Sequence, residues 1–265
     1  MLRLPPAVKN LIIINSLMLF ITWAINRTYG FDLDKLFGLY YFQSPNFHVY
    51  QFFTHMFMHG GLLHLFFNMY ALFIFGSVLE QVWGSKRFLI YYLITGLGAA
   101  AFYTFVNYLE ITPMINAAHA FVNTPSPDLL AHFVKDHISN PNRQVFDFIA
   151  LWSEKPNDPQ FINQAIAMVN NSIVELMNNP TVGASGAIFG VLLAFGMLFP
   201  NTELMLLFPP IPIKAKYFVM IYGALELYLG ITQPGSQIAH FAHIGGMLFG
   251  FLLLKYWQYN RSRFY

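Results

Sequence analysis

The chain lacks cysteine and has few charged residues. Its 265 residues include no Cys, and only 10% are Asp, Glu, Lys or Arg, against about 25% in a typical soluble domain. The absence of cysteine excludes disulfides, a thiolate nucleophile and cysteine metal sites. The scarcity of charge excludes a water-facing globular surface. The net charge of +2, with no basic run, gives no reason to expect nucleic acid as a partner.

Apolar residues take the place of the missing charge. Hydrophobic residues make up 56% of the chain and aromatic residues 18%. A transmembrane helix needs roughly 17–25 mostly apolar residues, and six stretches meet this requirement. They lie near 10–26, 62–82, 87–109, 183–199, 215–232 and 239–257. The sequence therefore predicts an all-α, polytopic membrane protein in which six transmembrane helices form a bundle in the lipid bilayer.

Basic residues predict the orientation. Arg3 and Lys9 precede the first apolar stretch, as in a signal peptide, but no small-residue cleavage site follows it, so we interpret it as a retained transmembrane helix. With six spans, nine of the 14 Lys and Arg residues fall on the side of both chain ends. This bias predicts cytoplasmic N- and C-termini. Short tails and no targeting segment favour a bacterial inner membrane.

Two segments outside the spans differ in chemistry. The first, 28–58, is rich in Tyr and Phe and is expected to lie partly in the membrane interface. The second, about 110–182, holds seven of the 12 acidic residues. Three pairs in it, Ser126-Pro127, Asn140-Pro141 and Asp158-Pro159, join a capping residue to a proline and predict three short amphipathic helices.

These features divide the chain into three parts. Residues 1–110 are expected to hold transmembrane helices 1–3 with the interfacial first loop. Residues 111–180 are expected to form a helical extracytoplasmic insertion between helices 3 and 4. Residues 181–265 are expected to hold transmembrane helices 4–6.

Ser185 lies between small residues at the predicted start of the fourth span, in Gly183-Ala184-Ser185-Gly186. Small neighbours leave room for a substrate backbone, and free amides at a helix start suit a developing oxyanion. Close helix packing is the alternative, because Gly186 and Gly190 form a GxxxG pattern.

His243 lies in Ala242-His243-Ile244-Gly245-Gly246 of the sixth span, with Gly250 four residues further on. At this close-packing face it could take a proton from a serine on a neighbouring helix. The alternative is a histidine bonded to a nearby carbonyl group. His240, three residues earlier, competes with it for the role of base.

His64 and Asn68 are spaced at i and i+4 and so share one helix face. Two donors side by side make an oxyanion hole plausible, and polar contacts between helices are the alternative. A metal site is the rival functional interpretation, because His48, His55 and His59 lie nearby. The spacing does not match His-Glu-x-x-His and no acid is close, so we predict neither a metal nor another cofactor.

Two acidic residues fall in predicted spans. Glu226 lies in the fifth span, where an acid could belong to a proton relay. No other residues form an ion-coupling chain with it, so we interpret it as structural. Glu80 falls near the cytoplasmic end of the second span, where we expect it to bond the backbone of the neighbouring turn.

Three motifs together resemble the rhomboid family of intramembrane serine proteases. They are Gly183-Ala184-Ser185-Gly186, then Ala242-His243-Ile244-Gly245-Gly246 with Gly250, and the spacing of His59, His64 and Asn68. Six helices with cytoplasmic ends also resemble the bacterial form of the family. The resemblance covers the chain except for about 111–180.

The resemblance implies a role for each residue. Ser185 would be the nucleophile and His243 the general base, with no acid completing a triad. The oxyanion would be bound by His64, Asn68 and the amide of Ser185. His59 would help to hold the first loop.

The resemblance also implies how the site is built and reached. Gly246 and Gly250 would let the sixth helix pack closely on the fourth. The fifth helix and the loop at 232–240 would form a lateral gate and cap. Water would enter from the extracytoplasmic side, and the substrates would be transmembrane proteins.

The sequence departs from the family pattern in three places. Tyr50-Gln51 stands where the family often has Trp-Arg, and Phe189 stands where a tyrosine often stacks on the base histidine. The long insertion is the third departure. It could screen substrates and shield the active site, or it could be a decoration with a packing role.

We therefore expect an intramembrane serine endopeptidase that acts on transmembrane segments through a Ser-His dyad. The alternative is a catalytically inactive rhomboid-like protein that binds such segments, although inactive relatives generally lose the serine or the histidine. A transporter or channel would predict repeated halves and more intramembrane charge.

Overall fold

Helices account for most of the computed structural model, which describes residues 4–138, 141–205, 210–233 and 238–261. They are, in chain order, α1 (Pro6–Tyr29), α2 (Asp34–Phe37), α3 (Gln51–Thr54), α4 (Leu62–Ala71), α5 (Ser77–Trp83), α6 (Ser85–Asn123), α7 (Pro127–His137), α8 (Arg143–Glu154), α9 (Pro159–Met177), α10 (Ser185–Leu198), α11 (Ala215–Thr232) and α12 (His240–Arg261). A 3-10 turn covers His55–Phe57, and a π-helical turn, Leu72–Gly76, joins α4 to α5. Two short strands, β1 (Glu203–Met205) and β2 (Pro212–Lys214), pair antiparallel.

Several helices are suited to a bilayer. Within the described residues, three stretches are long and apolar enough to cross a membrane, namely Pro6–Tyr29, Leu62–Trp83 and Ser85–Asn123. A shorter apolar helix covers Ser185–Leu198. The predicted class, an all-helical polytopic membrane protein, is confirmed, and the count of six spans stays a prediction.

Helix α6 is much longer than the predicted span at 87–109. It continues for 39 residues to Asn123 without a break at Pro113. The main hydrophobic cluster lies among α1, α4, α5, α6, α10, α11 and α12. The last turns of α6 still bury one apolar face, because Met114, Ala118 and Phe121 belong to a second cluster shared with α7, α8 and α9. The helix therefore persists beyond residue 110, where we expected the first part of the chain to end.

The second cluster gives the insertion its own core. Trp152 is fully buried in it, between the rings of Phe121 and Phe148. Capping by Ser126 and Asp158 fixes the starts of α7 and α9, since each side-chain oxygen accepts a bond from a first-turn amide, at 3.2 Å and 2.9 Å.

The expected start of the middle insertion helix, at Asn140-Pro141, is wrong. Helix α8 begins at Arg143, and Asn142 caps it by accepting a 3.2 Å bond from the amide of Gln144. Asn142 offers the same kind of capping oxygen two residues after Asn140, so the helix begins at Arg143 and Pro141 lies before it. Asn140 itself lies outside the described residues.

Glycines allow α10 and α12 to approach each other closely. A Cβ atom added at Gly246 would overlap the carbonyl oxygen of Gly186, and one at Gly250 would lie 3.3 Å from the Cα of Gly190. Helix α12 also packs against α6. The backbones of α10 and α12 are thus in direct contact near their N-terminal ends, where Ser185 and His240 begin the two helices.

The first loop is held by Tyr50 and Gln51. The fully buried Gln51 side chain accepts a 3.0 Å bond from the amide of His48 and donates to the carbonyl oxygens of Asn46 and Leu36, at 2.9 Å and 3.3 Å. The Tyr50 hydroxyl donates to the same Leu36 oxygen. Amide and hydroxyl bonds to the backbone therefore anchor the loop.

This loop also contacts the segment that precedes α10. Leu39 and Thr181 exchange backbone hydrogen bonds of 2.8 Å and 2.9 Å, as in a short antiparallel bridge. The Ser44 hydroxyl donates a 2.8 Å bond to the side-chain oxygen of Asn178, just after α9. The end of the insertion is therefore tied to the first loop on its way to Ser185.

Glu80 caps a helix that is remote in sequence. Its carboxylate accepts 2.8 Å bonds from the amides of Ala7 and Val8 in the first turn of α1, and a 2.6 Å bond from the Ser85 hydroxyl. The expected partner, the backbone of the neighbouring turn, is therefore wrong: the bonded amides belong to α1, and Ser85 in that turn contributes its side-chain hydroxyl. Since helix N-termini have free amides and a positive dipole end, this buried carboxylate fixes α1 against the junction of α5 and α6.

Glu80→Gln should lower the free energy of unfolding by about 2–4 kcal/mol, because an amide cannot accept all three bonds and turns a donor towards a donor. Thermal unfolding in detergent, followed by circular dichroism, measures the effect. Glu203→Gln, at an exposed acid of β1, is the control and should leave the unfolding temperature unchanged. An unchanged temperature for Glu80→Gln would contradict the capping role.

Candidate active site

Ser185 begins α10, directly after a glycine with an unusual backbone. Gly183 has φ of +137° and donates its amide to the carbonyl oxygen of His55 at 2.9 Å. A Cβ atom on Gly183 would lie 2.9 Å from the ring of His64. Only glycine accommodates both the backbone conformation and the close ring, so Gly183 lets His64 approach the serine.

His243 contacts Ser185 directly. Its Nε2 atom lies 2.8 Å from the Ser185 Oγ atom, which is hydrogen-bond distance. Phe189 stacks on the His243 ring with centroids 4.1 Å apart and planes 6° apart. Because Phe189 follows Ser185 by four residues on one helix face, α10 supplies both the serine and the ring that orients the histidine.

Glu226 contacts the other side of the same histidine. Its Oε2 atom lies 2.7 Å from Nδ1 of His243 and also 2.7 Å from Nδ1 of His240. All three side chains are buried. The interpretation of Glu226 as structural omits this contact. The available signal was an acid in an apolar helix followed, on the next helix, by two histidines three residues apart.

Of the competing histidines, the structure brings His243 to Ser185. His240 is bonded to Glu226, and its ring centroid is 6.4 Å from that of His243 in an edge-on arrangement. The predicted cap loop at 232–240 lies in part, at 234–237, outside the described residues.

The residues predicted for the oxyanion lie on α4. The ring of His64 borders Gly183, two residues before Ser185. Asn68 is buried one turn further on, and its Nδ2 atom has no hydrogen-bond partner among the described residues. A buried amide donor without a partner costs free energy. The Nδ2 group of Asn68 is therefore available to donate a hydrogen bond to a bound ligand.

Two further histidines, His55 and His59, precede α4 and are neutral at pH 7. Burial lowers the pKa of His55 to about 4, and its Nδ1 atom donates a 2.9 Å bond to the carbonyl oxygen of Gln51. Burial, and then the nearby His64, lower the pKa of His59 to about 3. The rings of His59 and His64 meet edge to face with centroids 5.1 Å apart. His59 therefore packs against His64, and neither of its ring nitrogens has a side-chain hydrogen bond among the described residues.

Comparison with known protein families identifies the family of this chain. The sequence model of the Rhomboid domain matches residues 46–132 and 161–259. The chain belongs to the rhomboid family. The internal unmatched segment, 133–160, is shorter than the insertion that we expected to fall outside the resemblance, because the match includes most of α7 and of α9. The match begins at residue 46, so residues 1–45, which we expected the resemblance to cover, also lie outside it.

Rhomboid proteins from eukaryotes and bacteria are similar to this chain. RHOMBOID-like protein 12, mitochondrial, of Arabidopsis thaliana is 26% identical over 90% of this chain and 54% of its own length. A mitochondrial rhomboid protein of Schizosaccharomyces pombe is 28% identical over 77% of this chain and 50% of its own length. Rhomboid protease AarA of Providencia stuartii is 40% identical over 22% of this chain and 20% of its own length.

The relatives with wide coverage bear on size and location. The rhomboid chain spans about half the length of these two curated relatives. Both are named mitochondrial. These names weaken the expectation of a bacterial inner membrane, while the long apolar helices support an integral membrane protein.

The residues that could bind a metal ion differ from the histidines considered in the sequence analysis. In the described part of the chain they are Glu226, His240 and His243, whose ligand atoms lie within 4.8 Å of one another. The histidines of the first loop and α4 are not among them. The two oxygen–nitrogen distances of 2.7 Å are typical of hydrogen bonds.

Proposed function

We propose that this rhomboid is an intramembrane serine endopeptidase that hydrolyses peptide bonds in or near transmembrane segments of membrane proteins. The observation that carries the proposal is the 2.8 Å contact between Ser185 Oγ and His243 Nε2. The two residues belong to separate helices, 58 positions apart, and a nucleophile within hydrogen-bond reach of a base is what acyl transfer requires.

In the proposed reaction, Ser185 Oγ attacks the carbonyl carbon of the scissile bond while its proton passes to Nε2 of His243. His243 then gives this proton to the amine nitrogen as the carbon–nitrogen bond breaks, which leaves an acyl ester on Ser185. Water attacks the ester and its proton passes to His243. Return of that proton to Ser185 Oγ releases the acid product and restores the site.

The developing oxyanion needs donors that are already in place. The Ser185 amide is one, because the first amides of a helix have no partner within it. His64 and the unpartnered Nδ2 of Asn68 are the others that we propose. Gly183 supports this arrangement, since its missing side chain leaves the His64 ring its position beside the serine.

Asn68→Ala should lower kcat by about 10²–10³-fold with little change in KM, because the lost donor acts on charge that develops in the transition state. Steady-state cleavage of a transmembrane substrate measures both constants. Asn15→Ala is a matched control, because Asn15 is also buried in a transmembrane helix and donates to the Leu11 carbonyl oxygen. Equal kcat for wild type and Asn68→Ala would exclude Asn68 from the oxyanion site.

The surroundings that we propose follow from the same assignment. The chain crosses the bilayer six times with both ends in the cytoplasm, and the site opens to the extracytoplasmic side. Its partners are transmembrane protein substrates and the lipid bilayer. Residues 111–180 form an extracytoplasmic insertion, whose separate hydrophobic cluster supports treating it as a unit.

The alternative is a catalytically inactive rhomboid-like protein that binds transmembrane segments. Such a protein has no need for a serine hydroxyl within hydrogen-bond distance of a histidine. The contact of Ser185 with His243, and the ring of Phe189 stacked on that histidine, favour the protease.

The test is cleavage of a synthetic transmembrane substrate by the purified protein in detergent. Wild type should cleave it, and Ser185→Ala and His243→Ala should not. His240→Ala separates the two histidines, because it leaves the contact of Ser185 with His243 intact. Cleavage that both dyad variants retain would reject the assignment. Loss of cleavage on chelation, restored by added Zn²⁺, would favour metal chemistry at Glu226, His240 and His243.

A further inference from the structure

Glu226 lies where the third member of a catalytic triad would lie. Its carboxylate oxygen is 2.7 Å from His243 Nδ1, while Nε2 of the same ring is 2.8 Å from Ser185 Oγ. We propose that Glu226 is a positioning residue that orients His243 and fixes its tautomer, so that this chain works with Ser185, His243 and Glu226 in place of a dyad. The inference rests on the proposed protease function.

The direction of each hydrogen bond follows from the groups involved. An ionised carboxylate only accepts, so a histidine nitrogen bonded to Glu226 must carry a proton. A neutral imidazole protonated at Nδ1 has a lone pair at Nε2. In His243 that lone pair faces the Ser185 hydroxyl, which therefore donates. Glu226 thus selects the tautomer that a general base at Ser185 needs.

The carboxylate also contributes when the proton moves. As His243 accepts the proton from Ser185, the ring becomes an imidazolium, and Glu226 is buried beside it in a site of low dielectric constant. A negative group already in place stabilises that charge without reorganisation. Such an acid is costly in an apolar helix, and its two hydrogen bonds to histidine offset part of that cost.

Two contacts together fix the orientation of the His243 ring. Stacking on Phe189 sets the plane of the ring, and the bond from Nδ1 to Glu226 sets its rotation within that plane. The second bond, from His240 to the same oxygen, holds the carboxylate in place. Glu226 comes from α11, so three helices meet at one imidazole.

Hydrogen bonding explains the cluster better than a bound metal. Ligand atoms around a tetrahedral Zn²⁺ at about 2.0–2.1 Å are necessarily separated from one another by more than 3 Å. The two observed oxygen–nitrogen distances are 2.7 Å, shorter than such a geometry allows.

The test compares Glu226→Gln with Glu80→Gln, the same change at the other buried acid, which caps α1. Glu226→Gln keeps the shape of the side chain but removes its charge and its control of the His243 tautomer. We therefore expect kcat to fall by about 10²–10⁴-fold, with KM within about threefold of wild type. Its unfolding temperature should stay nearer to wild type than that of Glu80→Gln. Glu80→Gln should show the reverse, a lower unfolding temperature and an unchanged kcat.

Wild type and Ser185→Ala accompany these variants, so failure of the proposed protease function is seen separately as equal activity of that pair. Labelling of Ser185 by a fluorophosphonate gives a second readout, and Glu226→Gln should slow it in proportion to kcat. Glu226→Asp keeps the charge on a shorter side chain and should lose about tenfold in kcat. Wild-type kcat and labelling in both Glu226 variants would overturn the inference, as would cleavage that depends on Zn²⁺.

Discussion

Replacing Ser185 or His243 by alanine is expected to lower kcat by about 10⁶-fold, the largest catalytic effect in the molecule. In serine proteases such residues act as a unit, so removing one costs nearly as much as removing both. The double variant should therefore be no slower than either single variant. This lack of additivity follows from the 2.8 Å contact between the two residues. The Ser185 hydroxyl is unreactive without His243 as base, and His243 does not contribute to cleavage without the hydroxyl.

Progress curves with the same transmembrane substrate in detergent, at enzyme concentrations high enough to see slow cleavage, measure this effect. Ser77→Ala is the matched control, because Ser77 also lies in a transmembrane stretch and its hydroxyl has no bond partner among the described residues. A double variant whose loss equals the product of the two single losses would mean that Ser185 and His243 act independently, and the proposed mechanism would fail.

The parts of the site that sequence analysis reached are those joined by short, regular spacing. The i, i+4 relation of Ser185 and Phe189 puts both on one face of any α-helix, and the structure brings both to His243. The same spacing puts His64 and Asn68 on one face of α4. Some helix bounds were predictable from the length of the apolar stretch, as in α11, where the predicted 215–232 coincides with Ala215–Thr232.

What sequence analysis missed depends on contacts between helices that spacing does not encode. Glu226 precedes His243 by 17 positions, on another helix, and nothing local shows that its carboxylate meets the imidazole. Glu80 bonds amides more than 70 positions away. The extension of α6 beyond residue 109 depends on the faces of α7, α8 and α9 that cover it. Each is decided by tertiary packing, which outweighs local preference.

Gly246→Ala is expected to have a large effect on both stability and activity. A Cβ atom there would overlap the carbonyl oxygen of Gly186, and backbone atoms, unlike the end of a flexible side chain, can make room only if a helix moves. Overpacking costs about 1–3 kcal/mol where side chains can adjust, so here we expect at least the upper end of that range. Thermal unfolding in detergent measures it.

The same methyl group should also lower activity beyond its effect on folding, because Gly186 follows the nucleophile directly and His243 lies one turn before Gly246. Pushing α12 from α10 lengthens the contact between Ser185 and His243, and a displacement of about 1 Å can cost 10²-fold in rate. Gly223→Ala in α11 is the control, since its Cβ would meet the flexible side chain of Met247 at 3.1–3.2 Å, which can shift. If Gly246→Ala matches Gly223→Ala in stability and in kcat per folded molecule, then close packing of α10 and α12 does not set the geometry of the site.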